Sequence, residues 1–462
     1  MGSLPRSCGT SARGGIRLMS KATNDEIQHF LNTVCKQLRG QALHDDVKSE
    51  MSTHIEEMVE ELEQSGIGRQ EAVRMAVLRM GDPLLIGKQL RRSHRPAVQW
   101  GLIGALLLLL IIGLFARLVS AHVVPSGQSI MLFEKQLTMV CIGFVLMLGL
   151  WFIDCRKLLN YPYWLFASGL GLAFATTMSG IGLHINGAIR YVSAAGVSID
   201  MMAVILFIWL LALAGMKPAR LWSGADTIVQ LVIWLFIPVL TFVAANVILL
   251  CFLYCCAFMI AFWMTRRNLV QVMTIGLGIS LAAGTLGAFY VASNDKVYYI
   301  LARLMSFVSK DPNGSGYMTH QAVNAVRSAG WWGEGEALPN GSLIHIASEN
   351  MFTYMIYSYG WSMGVLISAA AVLFMAMIGR IARRIQDEGG RRVAVLIGFF
   401  FGIQFAWSIL MCLGMAPFVG VVLPFLSYGH SMLLIFFAAC GVLLSVSKQG
   451  YKSGTKSTVL GS

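Results

Sequence analysis

Ten apolar runs, each close to or above the length that crosses a lipid bilayer, constrain this chain more than any other feature. They lie at about 99–119, 136–153, 161–179, 201–216, 226–243, 245–264, 269–288, 351–378, 393–413 and 431–447. An α-helix rises about 1.5 Å per residue, so roughly twenty apolar residues cover a hydrocarbon core about 30 Å thick. Inside that core every backbone N–H and C=O must find its partner within the protein, and for runs of this length the helix achieves that. Composition excludes a soluble chain: 56% of the 462 residues are hydrophobic and 13% charged, where globular domains average about a quarter charged. The expected fold class is therefore all-α: a polytopic membrane protein of about ten transmembrane helices, with a small N-terminal cytoplasmic helical bundle. The fifth and sixth runs are the hardest to divide. Ile228 to Trp263 carries no charge, and only Pro238 and Asn246 mark a break.

Charge orients these spans. The net charge of +12 could suggest nucleic acid, but the basic residues sit in short clusters between apolar runs, not along one polar face. Arg91, Arg92 and Arg95, Arg156 and Lys157, Lys217 and Arg220, Arg266 and Arg267, Arg380 to Arg392, and Lys448 and Lys452 flank alternate loops. With ten spans all of them fall on one side. The positive-inside rule then places both termini in the cytoplasm and the long loop at 290–350 outside. The nine cysteines are scattered mostly through apolar segments without a CxxC pair, which indicates neither a disulfide framework nor a zinc site.

Residues 1–22 lack periodicity and are expected to be disordered, and residues 23–95 form a separate helical domain. Ile27, Phe30, Leu31, Val34 and Leu38 share one face; Met51, Ile55, Met58 and Leu62 make a second; Ala72, Val73, Ala76, Val77 and Met80 a third. Gly81-Asp82-Pro83 supplies a C′ glycine, an N-cap and a proline at N1. The arrangement resembles the permease prefix domain, and nothing in it pairs a nucleophile with a base. The membrane domain runs over 96–450, followed by a cytoplasmic tail at 451–462.

Two regions can carry chemistry. The 290–350 loop is rich in polar groups, among them Asp295, Arg303, Asp311, Glu334, Glu336, His345 and Glu349. Between the last two spans, residues 415–431 hold prolines and glycines at membrane depth, where irregular backbone survives only inside protein or beside a wet cavity.

The run LPFLSYGHSMLL at 423–434 resembles the signature of the SEDS proteins (shape, elongation, division and sporulation; the FtsW, RodA and SpoVE group). Pro417, Gly420, Leu423, Pro424, Phe425, Ser427, Tyr428, Gly429 and Ser431 fit it, and their expected role is to shape a structural turn. The outer loop is similar in Arg303, Phe307, Asp311-Pro312, Gly316-Tyr317, Gln321, Ser328, Gly330, Gly333, Gly335 and Leu338-Pro339, as is Gly187-Ala188-Ile189-Arg190-Tyr191-Val192 before Ser198-Ile199.

The resemblance implies a peptidoglycan glycosyltransferase of the bacterial plasma membrane. Such an enzyme polymerises lipid II at the outer face in cell shape, division or sporulation, in company with a class B penicillin-binding protein. The family's catalytic aspartate in the outer loop corresponds here to Glu349, with His345 as the nearest competitor. A carboxylate at that point would take the proton from the acceptor hydroxyl as it attacks the anomeric carbon. Arg190 and Arg303 would clamp the departing diphosphate. A divalent cation is left open as a cofactor, no metal ligands are assigned, and no nucleic-acid partner is expected.

The chain also departs from the family. Met201-Met202-Ala203 replaces the PSE motif with its intramembrane acid, Ala244-Ala245-Asn246 stands where many members have PDLGT, and His430 replaces a glycine. These departures keep open a catalytically degenerate partner or scaffold for a penicillin-binding protein. The polytopic architecture alone also allows a transporter of a lipid-linked substrate, against which the lack of membrane-embedded acids along a pathway counts.

Overall fold

The computed structural model describes residues 26–37, 41–93, 99–120, 129–178, 182–185, 188–194, 197–222, 224–266, 278, 316–335, 346, 348–427 and 429–448. The chain forms two compact units, Met1–Ala97 and Val98–Ser462.

The first unit contains helix α1 at 26–36, α2 (Gln41–Gln64), α3 (Arg69–Met80) and α4 (Pro83–Ser93). The three apolar faces meet in one core of Phe30, Leu31, Val34, Ile55, Val59, Leu62, Ala72, Val73 and Ala76. Helix α3 stops at Gly81, whose φ of +89° suits glycine. Asp82 then caps α4 by accepting the Leu84 N–H at 2.8 Å, with Pro83 in the first turn where no N–H is needed.

The second unit is an all-α polytopic membrane domain. Its helices are α5 (Trp100–Ser120), α6 (Ser129–Phe152), the short α7 (Cys155–Leu159), α8 (Pro162–Met178), α9 (Met201–Gly215), α10 (Gly224–Leu231), α11 (Ile237–Ala244) and α12 (Ile248–Arg266). There follow α13 (Tyr317–Ser328), α14 (Met351–Tyr359), α15 (Trp361–Arg384), α16 (Glu388–Cys412) and α17 (His430–Ser447). Among the described residues, seven helices are long and apolar enough to cross a membrane. Nine of the ten apolar runs fall on helices; the run at 269–288 and most of the 290–350 loop lie outside the described residues.

The uncertain fifth and sixth runs do divide. A π-helical turn at Val232–Phe236 joins α10 to α11. Pro238 has no N–H for the carbonyl four residues back, and that carbonyl, of Trp234, accepts the Tyr254 hydroxyl at 2.6 Å instead. The chain breaks after α11 at Asn246, which adopts a left-handed φ of +58°, a conformation asparagine tolerates better than most residues. The eighth run, read as one span, is two helices. Gly360 separates them with φ +81°, and a Cβ there would stand 2.1 Å from the Trp331 carbonyl oxygen.

A three-stranded antiparallel sheet was not expected: β1 (Leu183–Ile185), β2 (Ala188–Ala194) and β3 (Val197–Asp200) pair in that order. The stretch is short and mixed, between two apolar runs, so the helical periodicity that organises the rest gives no warning of it.

Helix α17 is buried over most of its length and forms the centre of the unit. It packs along α6 through small residues: Gly441 lies against the Met147 carbonyl and Gly143 against the Phe437 ring. Such glycines let helix backbones approach closely where water supplies no driving force.

Within the membrane unit the basic residues Arg156, Arg392 and Lys448 gather at one end. Arg156 donates to the Val446 carbonyl at 2.7 Å, the Lys448 ammonium lies 4.7 Å from the Trp151 ring centre, and Arg392 donates to the Met216 carbonyl at 2.6 Å. The sheet, residues 349–350 and the 412–431 segment are at the opposite end.

Candidate active site

Three segments distant in sequence converge at the end away from the basic clusters. Strand β2 carries Arg190 and Tyr191 on a hairpin rooted in α9. Asp200 ends β3 and caps α9, its Oδ1 accepting the Ala203 N–H at 3.2 Å. Its Oδ2 accepts from both Nε and Nη2 of Arg190 in an ion pair whose carboxylate side chain is 4% exposed. Burial pulls the Arg190 guanidinium down, but the charge and hydrogen bonds of Asp200 outweigh it and the net shift is upward. The guanidinium also lies over the Tyr191 ring, 5.0 Å from its centre. Burial pushes the Tyr191 phenol up, and although Arg190 opposes this, the charges of Asp200 and Glu349 add to it.

The second segment is Glu349, two residues ahead of α14. Its Oε2 is buried with no hydrogen-bond partner among the described residues. Its backbone carbonyl accepts the Cys412 thiol at 3.7 Å, which ties it to the end of α16. A buried carboxylate oxygen without a donor is costly unless something binds it.

The third segment is the 415–431 turn. Gly420 has φ +75°, and a Cβ there would lie 3.5 Å from Glu349 Oε1. Ser427 accepts the Leu423 N–H at 3.1 Å, closing the turn on itself. Ser431 accepts the Asp200 N–H at 2.8 Å and donates to the Ser198 carbonyl at 3.2 Å, so it joins the start of α17 to β3. Phe425 is buried at a left-handed φ of +66°. Its ring packs against Phe374, Phe401, Phe436 and Phe437, contacts that offset the backbone strain. Helix α5 braces the turn from behind: a Cβ on Gly113 would stand 2.2 Å from the Phe425 carbonyl oxygen.

The structure thus brings Glu349, the Arg190–Tyr191 strand, Gly420 and Ser431 into one neighbourhood. Arg303, His345 and Tyr428 lie outside the described residues. Asp200 is the residue sequence reasoning missed. Attention to the altered 201–203 triplet left out the acid just before it, yet an aspartate immediately ahead of an apolar helix is an N-cap signal. A buried carboxylate therefore does stand at this point of the fold. Among the described residues no three His, Cys, Asp or Glu side chains gather to hold a metal ion.

The same span of chain, residues 98–452, matches the model of the cell cycle protein family FtsW/RodA/SpoVE. The chain belongs to that family. Among its relatives is the probable peptidoglycan glycosyltransferase FtsW of Methylococcus capsulatus, 26% identical over 300 residues, covering 63% of this chain and 74% of that one. The stage V sporulation protein E of Bacillus subtilis is 33% identical over 158 residues, 32% of this chain and 42% of that one.

Solved structures share the fold. A chain of a peptidoglycan synthase complex, studied for its coordination of polymerization and crosslinking, superposes with TM-score 0.64 at 19% identity, covering 77% of this chain and 99% of its own. The Thermus thermophilus rod shape determining protein RodA does so with TM-score 0.53 at 19% identity, covering 76% and 97%. The FtsW/RodA/SpoVE fold therefore accounts for the membrane unit, while the family match begins only after the N-terminal helices.

Proposed function

We infer that this member of the family is a peptidoglycan glycosyltransferase of cell shape, division or sporulation, with Glu349 as its general base. The family match and the names of its relatives support the activity. The observation that supports the residue is the Glu349 carboxylate itself, buried on one oxygen, without a donor there among the described residues, and walled by a glycine on the signature turn.

The substrate is lipid II, drawn from the outer leaflet. The acceptor sugar hydroxyl attacks the anomeric carbon of the donor, Glu349 takes the hydroxyl proton, and the lipid diphosphate leaves. General-base assistance of this kind contributes about 10²–10⁴ in rate. A glutamate reaches about one methylene further than the family's aspartate, so the acceptor must sit correspondingly further from the backbone.

Arg190 reaches the leaving diphosphate with its charge already countered by Asp200. Two of its five N–H donors point at Asp200 Oδ2, which leaves the others to orient a phosphate oxygen. Its role is positioning, and the larger share of charge neutralisation falls to Arg303 or a divalent cation. The cytoplasmic side is the end with the basic clusters, so both termini lie inside and a class B penicillin-binding protein meets the chain from the membrane and the outer face.

The test is polymerisation of labelled lipid II by purified full-length protein, alone and with its penicillin-binding protein. Glycan polymer is expected. None from folded protein under either condition contradicts the enzymatic reading and favours the degenerate partner, which the altered 201–203 triplet keeps in view.

A further inference from the structure

The end of the bundle remote from Glu349 holds a cavity that glycan polymerisation does not use. About 420 Å³ opens between the last turn of α12 and the first turns of α16, lined by Trp263, Met264, Thr265, Glu388, Arg391 and Arg392. Helix α16 runs from this pocket to Cys412 at the Glu349 site. Some twenty residues at about 1.5 Å each separate the two by roughly 30 Å, one hydrocarbon thickness.

The charges here do not balance locally. Asp387 is occupied as the cap of α16, accepting the Gly390 N–H at 2.7 Å. Glu388 pairs with Arg220 at 3.5 Å across exposed surface. Arg392, 7% exposed, is held by the carbonyls of Met216 at 2.6 Å and Glu388 at 3.4 Å. Neither Arg391 nor Arg392 has a carboxylate within ion-pair distance among the described residues. Arg220, Arg391 and Arg392 thus face only the carboxylates of Asp387 and Glu388, and a buried guanidinium is ordinarily matched by an anion.

The surroundings say what kind of anion. Trp263 is 54% exposed at the end of a spanning helix, where tryptophan sits at the level of lipid head groups. The surface of α12 below it is apolar, with Phe252 also exposed. Guanidinium groups bind phosphate oxygens in a planar fork, and basic pockets between helices on the cytoplasmic side accept anionic head groups.

We propose that this pocket binds the head-group phosphate of an anionic phospholipid, with Arg391 and Arg392 as its donors and the acyl chains along α12. Free inorganic phosphate shares the chemistry but has no use for the apolar wall.

Native mass spectrometry of the full chain in detergent, with dioleoyl phosphatidylglycerol, dioleoyl phosphatidylcholine or inorganic phosphate added, tests this. Arg392 also holds Met216, so the variant to use is the exposed R391Q, with E388Q as its counterpart. Wild type is expected to retain phosphatidylglycerol several-fold better than phosphatidylcholine. R391Q should lose about fivefold of that retention, and E388Q should keep it or gain. Equal retention of the two lipids, or R391Q indistinguishable from wild type, overturns the proposal. Displacement of phosphatidylglycerol by millimolar inorganic phosphate assigns the pocket to a soluble anion and overturns the lipid as occupant.

Discussion

Glycine at 420 supplies the left-handed backbone that carries the signature turn past the Glu349 carboxylate, and Asp200 determines what Arg190 can do beside it. The two were not equally legible. The signature turn is recognisable residue by residue, because prolines and glycines at membrane depth have little other use. The partnership of Arg190 with Asp200 depends on a hairpin that folds ten residues back on themselves, and no spacing rule for helices reveals it. That pair carries a prediction. Asp200→Asn keeps a cap for α9 but leaves Arg190 without its counter-charge, a loss of about 3 kcal/mol for a buried pair. Asp200→Ala removes the cap as well and should cost about 1 kcal/mol more. Thermal unfolding in detergent should rank wild type above Asn and Asn above Ala. Equal midpoints for all three would remove Asp200 from the support of the site.

Single residues reshape or divide the apolar helices of this chain. Pro238 frees a carbonyl that Tyr254 then takes, Asn246 turns the chain between α11 and α12, and Gly360 splits what hydropathy reads as one span. Hydropathy averages over a window, so it finds the apolar stretch and misses the single backbone angle that divides it. The brace behind the signature turn can be tested at this scale. Gly113 and Gly104 both lie on α5, but a methyl on Gly113 meets the Phe425 carbonyl at 2.2 Å whereas one on Gly104 meets nothing within 4 Å. Gly113→Ala should destabilise by about 1–3 kcal/mol and lower polymerisation by moving the turn that walls Glu349. Gly104→Ala should leave both near wild type. Similar behaviour of the two variants would show that α5 does not position the turn.

The membrane unit sets its described basic residues at one end and a polar, hairpin-capped site at the other, with α16 running between them. The charge asymmetry along the chain anticipates this polarity, since each cluster marks the end of a span. The internal order of the site is less legible, because it depends on turns between spans. Reporter fusions check the orientation: a fluorescent protein fused after Lys448 should fold in the cytoplasm, and a cysteine at position 334 should react with a membrane-impermeant maleimide from outside the cell. Labelling only after lysis would invert the topology. The most direct measurement is the rate of glycan polymerisation from labelled lipid II by Glu349→Gln, which keeps the size of the side chain and removes the base. The account predicts a fall of about a hundredfold or more with folding and membrane insertion intact, and partial activity in Glu349→Asp. Wild-type rates in Glu349→Gln would contradict it and move the base to another group of the outer loop.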